Sequence, residues 1–347
     1  MKSSGSICKE DIRRILVVKP SSLGDIIHVF PALVVLKKIF PAAEIDFIVN
    51  PQFAGLLDYS PVKISRKIIF ERKKLGTLRG FIPESVKLIR LLRRGKYDIV
   101  IDFQGLFRSA FFSFCAGASH GVCGFQNPRE KAAALFCRHT YECRQVHAVE
   151  RNVELLNGLF GVNYHVPECD IPINANVKLP SDIPEHYTVV LPGARWKSKQ
   201  FPASLFAAII CPLLKAGREV VLAGSSDDED ICRRIVEMCG GGSGICNCAG
   251  KTGMSELFEL IRNADAVVCN DSGPLHIASI MNKDIFCFFG PTQPEKTGPW
   301  NRRARVYRSD IACSGCLNRE CPLKDAPCHR LDQEKIVNDM LNREFSL

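Results

Sequence analysis

The sequence predicts an α/β protein built from two doubly wound parallel sheets, and three features carry that expectation. Short apolar runs rich in β-branched residues alternate with helical patterns along the whole chain. Most of these runs lead into a loop of small, glycine-containing or polar residues. A proline-rich stretch with little helical periodicity, residues 161–186, separates two halves that share the same rhythm.

In the first half the expected strands are 15–18, 45–49, 68–70 and 99–102; in the second they are 188–191, 219–223, 266–269 and 285–289. At 347 residues the chain is too long for one ordinary core and suits two. The expected division is a first domain over 1–165, a linker over 166–186, a second domain over 187–330 that includes a cysteine-rich segment at 313–328, and a C-terminal helix over 331–347 packing back on the first domain. In doubly wound sheets ligands sit beyond the carboxyl ends of the strands, so chemistry is sought in the loop after each run.

Composition narrows the class. A hydrophobic fraction of 46% is that of a globular protein and excludes disordered and fibrous chains. No stretch reaches the roughly 18 uninterrupted apolar residues of a spanning helix, and the N-terminal MKSSGSICKEDIRR has no apolar signal region, so a cytosolic location is expected. The 17 cysteines, many of them in apolar segments (Cys115, Cys211, Cys269, Cys287), are then expected to be reduced and to act as small hydrophobes. Lysine and arginine crowd residues 66–96 in a chain of net charge +9, which suits nucleic acid, an anionic membrane face or a phosphorylated substrate. A solvated basic face suits the charge equally. The cluster has little aromatic interleaving and no nucleic-acid module, which makes nucleic acid the weakest of these partners.

The loops are KPSSLGD (19–25), DFQGLFRS (102–109), PGARWKSKQFP (192–202), NDSGPLHIA (270–278) and FGPTQPEKTGPW (289–300). In the first, Asp25 fits either a helix cap, stabilised by the helix dipole, or a catalytic carboxylate. In NDSGPLHIA, Ser272 caps a helix whose free N–H groups suit a phosphate, and His276 in its first turn suits the same group. Arg195, Lys197 and Lys199 supply cations after a strand; for Lys197 a plain solvent-exposed loop is the better account. Other phosphate motifs fail: Gly250-Lys251-Thr252 lacks the leading glycine of a P-loop because position 245 is Ile245. Cys313, Cys316, Cys321 and Cys328, followed by His329, fit a structural zinc site and a set of free or redox-linked thiols equally, with no metal placed in the chemistry.

Taken together, KPSSLGDIIHVFPAL, DFQGLFRS, HAVER (147–151), GARWKSKQFP, NDSGPLHIA and FGPT resemble, in order and spacing, the ADP-heptose:lipopolysaccharide heptosyltransferases of glycosyltransferase family 9. The resemblance implies the GT-B fold, two Rossmann-like domains facing a central cleft, with the lipid acceptor on the first and the nucleotide sugar on the second. It implies inverting transfer of a heptose from ADP-heptose to the Kdo/heptose inner core, with Asp25 as general base. On the donor side it implies Lys199, Asp271, Ser272, Gly273 and His276 at the diphosphate and sugar, Met254 at the adenine, Asp228 or Glu229 at the ribose, and Ser22 and Gly24 nearby. Arg195, with Ala194, replaces threonines that touch the diphosphate in some members. Arg66, Arg72, Gln104, Arg108 and Arg129 are the expected acceptor contacts. No catalytic cofactor is implied, and the expected protein is a monomer peripheral to the inner face of the inner membrane. GARWKSKQFP and HAVER resemble type I members and the cysteine segment type II, which leaves the heptose position open. The rivals are a GT-B transferase using another nucleotide sugar, and a nucleotide- or lipid-binding protein without turnover.

Overall fold

The computed structural model describes residues 11–71, 78–174, 176–241, 243–323 and 325–342, and side-chain contacts of 78–81 are left aside. The chain divides into two compact units, Met1–Pro172 and Ile173–Leu347. In the first, the order is β1 (Arg14–Val18), α1 (Leu23–Ile27), α2 (Phe30–Ile39), β2 (Glu44–Val49), β3 (Arg66–Ile69), α3 (Leu78–Arg94), β4 (Ile99–Asp102), α4 (Phe107–Cys115), β5 (Val122–Phe125), β6 (His139–Tyr141) and α5 (Ala148–Phe160). The second runs β7 (Thr188–Leu191), α6 (Ala203–Lys215), β8 (Val220–Leu222), α7 (Glu229–Met238), β9 (Ile245–Asn247), α8 (Met254–Asn263), β10 (Ala266–Asn270), α9 (Gly273–Ile280), β11 (Asp284–Phe289), α10 (Pro294–Thr297), β12 (Ala304–Arg308) and α11 (Gln333–Leu341).

Each unit carries one six-stranded parallel sheet, ordered β3-β2-β1-β4-β5-β6 and β12-β11-β10-β7-β8-β9. The two orders are the same winding: the chain starts in the middle, works to one edge, then returns to the centre and fills the other side. The winding reverses between β1 and β4 in one sheet and between β7 and β10 in the other. There the loops diverge to opposite faces and open a crevice at the strand ends.

The central strands are apolar runs because helices cover them on both faces, so alternation has no use there. Ile15 to Val18 of β1 are at most 1% exposed, and β11, Asp-Ile-Phe-Cys-Phe-Phe, is buried along its length. In the first unit Leu16, Val18, Val100, Leu92 and Phe112 share one core; in the second, Val190, Phe206, Val268, Phe286 and Phe288 do.

The strands missing from the expected set are β5, β6, β9 and β12. Three of them, β6, β9 and β12, are sheet edges, where one side needs no partner and polar or charged residues are tolerated. The C-terminal helix α11 inserts Ile336 and Met340, both 0% exposed, into the second unit's core. Arg218 on that core donates to the carbonyls of Met340 and Leu341, and Tyr307 donates to Asp339 at 2.7 Å. No helix among the described residues is long and apolar enough to cross a membrane.

Candidate active site

In the first unit, the loops at the winding reversal bring four groups together. Asp25 lies in the short helix α1, where its Oδ2 accepts from the Ser22 amide at 3.1 Å and the Ser22 hydroxyl at 2.9 Å. The carboxylate is therefore a cap as well as a candidate base, and capping fixes its rotamer. Its Oδ1 is 4.0 Å from the Nζ of Lys19, the residue that follows β1. Lys19 is 6% exposed and donates to the Phe103 carbonyl at 2.9 Å, just past β4. Burial works to raise the Asp25 carboxyl, but the Lys19 ammonium, the Ser22 amide, Arg129 and His28 outweigh it and hold it at about 2. Lys19 is pulled below its usual value by burial, against the attraction of Asp25.

Asp102 closes the group from the end of β4. Its Oδ1 accepts from the Gln104 amide at 2.7 Å and the Gly105 amide at 3.1 Å, and the Ser109 hydroxyl donates to its Oδ2 at 3.0 Å. Gly105 has a left-handed φ of +65°, which lets the loop turn back onto this carboxylate. Burial pushes the Asp102 carboxyl up to about 6, against its hydrogen bonds and Lys19. Lys19 and Asp102 were not singled out from sequence as site residues. The signal available was that each opens one of the loops quoted from sequence, KPSSLGD and DFQGLFRS, at a switch-point strand end.

The expected acceptor residues divide. Arg129 contributes to the field on both Asp25 and Lys19, and Gln104 is 3% exposed with its side-chain Oε1 lacking a partner among the described residues. Arg108 is exposed in the first turn of α4, beside them in sequence. Arg66 does not join this group. It opens β3, below the strand's carboxyl end, and its guanidinium is committed to Asp46 at 2.6 Å, with Tyr97 donating to the same carboxylate at 2.7 Å. Arg72 lies outside the described residues. Arg151, from the HAVER stretch, joins the field on Lys19 and lies 4.7 Å over the Phe125 ring.

In the second unit the equivalent reversal joins β7 to β10. Asn270, at the end of β10, donates its Nδ2 to the Pro192 carbonyl at 2.7 Å and ties the two loops. Lys199 Nζ lies 2.7 Å from Asp271 Oδ2, and the Thr292 hydroxyl donates to the same oxygen at 2.5 Å. Asp271 is 3% exposed, so this is a buried junction of the loops after β7, β10 and β11. Lys199 also lies 4.8 Å over the Trp196 ring. Thr292 is a further residue that sequence reading passed over, although FGPT had marked its loop.

Ser272 occupies the N-cap position of α9 with extended backbone, but it makes no side-chain cap bond. Its Oγ and the Oδ1 of Asn270 are buried without a hydrogen-bond partner among the described residues. Buried polar atoms are nearly always paired, so an unpaired hydroxyl and an unpaired amide oxygen beside a helix N-terminus mark the place where a ligand completes the bonding. Gly273 and Pro274 form the first turn of α9, Pro274 in the position where a missing N–H costs least. His276, 7% exposed, faces inward on the same helix.

The remaining donor candidates line neighbouring loops of this unit. Asp228 accepts from the Ser225 amide and hydroxyl, both at 2.8 Å, and its carboxyl lies so close over Gly193 and Gly224 that a side chain at either would collide with it. Glu229 approaches Gly250 in the same way. Met254 is the half-buried first residue of α8, and Arg195 is exposed on the loop after β7. Ser22 is bonded to Asp25, and Gly24 is buried inside α1, both in the first unit.

The cysteine segment packs under the Lys199 loop. Cys313, Cys316, Cys321 and Cys328 line one small cavity with Ser198 and Pro291. Among the described residues, however, no group of three or more His, Cys, Asp or Glu side chains is arranged to hold a metal ion, so the zinc alternative finds no ready site. Its visible work is mechanical: the Ser198 hydroxyl donates to the Asn318 and Arg319 carbonyls at 2.7 and 2.9 Å, and His329 meets the Ser198 carbonyl at 2.8 Å while stacking on Phe201 with ring centroids 4.2 Å apart. Gly315 and Leu317 donate to the carbonyls of Gly290 and Pro291, bracing the loop that carries Thr292.

Known proteins similar to this chain share nearly its whole length. The chain is 29% identical over 325 residues to lipopolysaccharide heptosyltransferase 1 of Pseudomonas aeruginosa, covering 89% of this chain and 87% of that one. It is 24% identical over 335 residues to lipooligosaccharide heptosyltransferase 2 of Campylobacter jejuni, covering 95% and 98%. Among solved structures, Escherichia coli heptosyltransferase WaaC with ADP-2-deoxy-2-fluoro heptose superposes with a TM-score of 0.74 at 25% identity, covering 94% of this chain and 99% of that one. The profile of Glycosyltransferase family 9 (heptosyltransferase) matches residues 85–326, more than half the chain and all of the second unit's switch-point loops, and the protein therefore belongs to that family of glycosyltransferases.

Proposed function

We propose that this chain transfers a heptose, with inversion, from ADP-heptose to the Kdo/heptose inner core of lipopolysaccharide, the second unit holding the donor and the first the acceptor. The observation that carries the reading is the second unit's switch point: Lys199 pinned 2.7 Å from Asp271, next to the unpaired Ser272 hydroxyl at the start of α9. A cation and free helix N–H groups stabilise a departing diphosphate by electrostatics alone. The heptose-nucleotide analogue named in the WaaC structure supports ADP-heptose as the donor.

Inverting transfer also needs a base on the acceptor hydroxyl, and Asp25 is assigned that role. Held at about 2, it is ionised across the physiological range but a weak base, so it accepts the proton as the C–O bond forms rather than beforehand. Lys199, His276 and Arg195 are assigned to the diphosphate with Asp271, Ser272 and Gly273; Met254 to the adenine; Asp228 and Glu229 to the ribose. Gln104, Arg108 and Arg129 are assigned to the acidic inner core. No step is assigned to a metal or cofactor. The protein is taken to act as a monomer on the cytoplasmic face of the inner membrane, where a lipid-borne acceptor is presented.

The test is ADP release from ADP-heptose by wild type and Asp25→Ala, with Kdo-bearing lipid A, with heptosylated inner core, and with no acceptor. Acceptor-dependent release that Asp25→Ala abolishes while ADP still binds is the expected result, and the preferred acceptor assigns the heptose position. ADP binding without release on any inner-core acceptor would overturn the reading.

A further inference from the structure

Helix α4 is apolar on two sides, and the fold covers the second only in part. Ala110, Phe112 and Ser113 face the core and Phe111 packs half-buried against its edge, whereas Phe107 and Phe114, spaced at i and i+7, stay exposed on the other side. The rings of Phe107, Phe111 and Phe114 gather around Phe136 of the 3-10 turn Lys131–Phe136, with centroids 5.3, 6.0 and 5.9 Å from it. Phe107 is 49% exposed, Phe114 60% and the adjacent Leu135 85%. Large apolar groups gathered this openly are costly on a soluble surface and mark an interaction site.

The rim of this patch is basic. Arg108 follows Phe107, Lys131 and Arg138 flank the Leu135–Phe136 turn, and Arg93 of α3 donates to the Cys115 carbonyl at 3.2 Å, at the end of α4 beside Phe114. Glu130 accepts from the Phe107 amide at 2.6 Å and keeps its negative charge, so the four cations outnumber this carboxylate rather than standing alone. A second copy docking through this face would set two basic rims against each other, an unfavourable pairing. An anionic bilayer suits both parts: aromatic rings settle at the headgroup level, and arginine and lysine are drawn to an anionic surface.

We propose that the Phe107–Phe114–Leu135 patch with its Arg93, Arg108, Lys131 and Arg138 rim is the surface by which the first unit docks on an anionic phospholipid bilayer. The proposal deepens the reading of a lipid-borne acceptor and rests on it for its purpose. Helix α4 starts directly after the loop that carries Asp102 and Gln104, so docking through α4 brings that loop to the membrane from which the acceptor projects.

The test is co-sedimentation of the full chain with vesicles of phosphatidylethanolamine and phosphatidylglycerol, and with phosphatidylcholine vesicles, in the absence of donor and acceptor. Wild type is expected to bind the anionic vesicles, and Phe114→Ser/Leu135→Ser and Lys131→Glu/Arg138→Glu each to bind roughly tenfold more weakly. Both variants change exposed side chains, so thermal melting should match wild type, as should turnover on a deacylated, water-soluble acceptor. Wild type that ignores anionic vesicles, or variants that bind like wild type, overturns the proposal. So does self-association of wild type that Phe114→Ser/Leu135→Ser abolishes, which assigns the face to a second copy. Vesicle binding by a protein that transfers no heptose would support the surface and sink the proposed reaction alone.

Discussion

Lys199 and Asp271, 72 positions apart in the chain, meet at 2.7 Å where the winding of the second sheet reverses. The carboxylate is almost wholly buried and also takes the Thr292 hydroxyl, so the pair fixes the lysine in place before any ligand arrives. Preorganised charge of this kind works without reorganisation at the moment of reaction.

Replacing Lys199 by methionine therefore has two separable effects. Loss of the cation lowers kcat on ADP-heptose by roughly 100-fold. Loss of its partner leaves Asp271 buried and short of a charge, costing about 3 kcal/mol of stability. The double variant Lys199→Met/Asp271→Asn should recover much of the melting temperature but none of the activity. Recovery of both would reduce the pair to a structural role.

Ser272→Ala is expected to split stability from binding in the opposite direction. The hydroxyl has no partner among the described residues, so its removal leaves melting unchanged or slightly raised. If the hydroxyl meets the diphosphate, ADP affinity falls about fivefold, for the loss of about 1 kcal/mol. Calorimetric titration of ADP against both proteins decides the point, and equal affinities would remove Ser272 from the site.

The Lys19 ammonium is the strongest of the groups that lower the Asp25 carboxyl. Lys19→Met should raise the pKa of Asp25 towards the ordinary carboxylate range. Activity depends on the ionised form, so the acid limb of kcat/KM moves to higher pH in the variant, while wild type shows no limb from Asp25 above about pH 3. Lys19→Arg should restore the wild-type profile. Superimposable profiles for all three would mean that Asp25 does not accept the proton.

Asp102 sets a pH dependence of stability with the reverse sign. Its folded pKa of about 6 lies above its unfolded value, so the contribution to stability is complete below about pH 4 and is lost as pH rises through 6. The full change is about 3 kcal/mol for this group alone. Asp102→Asn should flatten the denaturation midpoint of the protein between pH 4 and 7 relative to wild type. An Asn variant with the same slope as wild type would place that dependence elsewhere.

The alternating apolar runs determined the class of fold and the central strands, because a strand buried on both faces must be apolar throughout and leaves an unmistakable run. They also located the loops, since in such sheets ligands bind beyond the carboxyl ends of the strands. Asp25, Lys199, Asp271 and Ser272 were legible in this way, each lying just after a run or in a helix turn that follows one. What the linear chain could not carry was pairing. Nothing local distinguishes Arg66 from Arg129, yet one is bound to Asp46 in the body of the sheet and the other acts on Asp25. Lys19 and Asp102 open two of the quoted loops, but only the adjacency of β1 and β4 buries them together. The edge strands and the packing of α11 were likewise invisible, since edges tolerate polar residues and an amphipathic helix does not name its partner. The exposed aromatics of α4 belong to the same class: α4 reads as an apolar helix in sequence, and tertiary structure alone decides which of its side chains meet the core and which stay exposed.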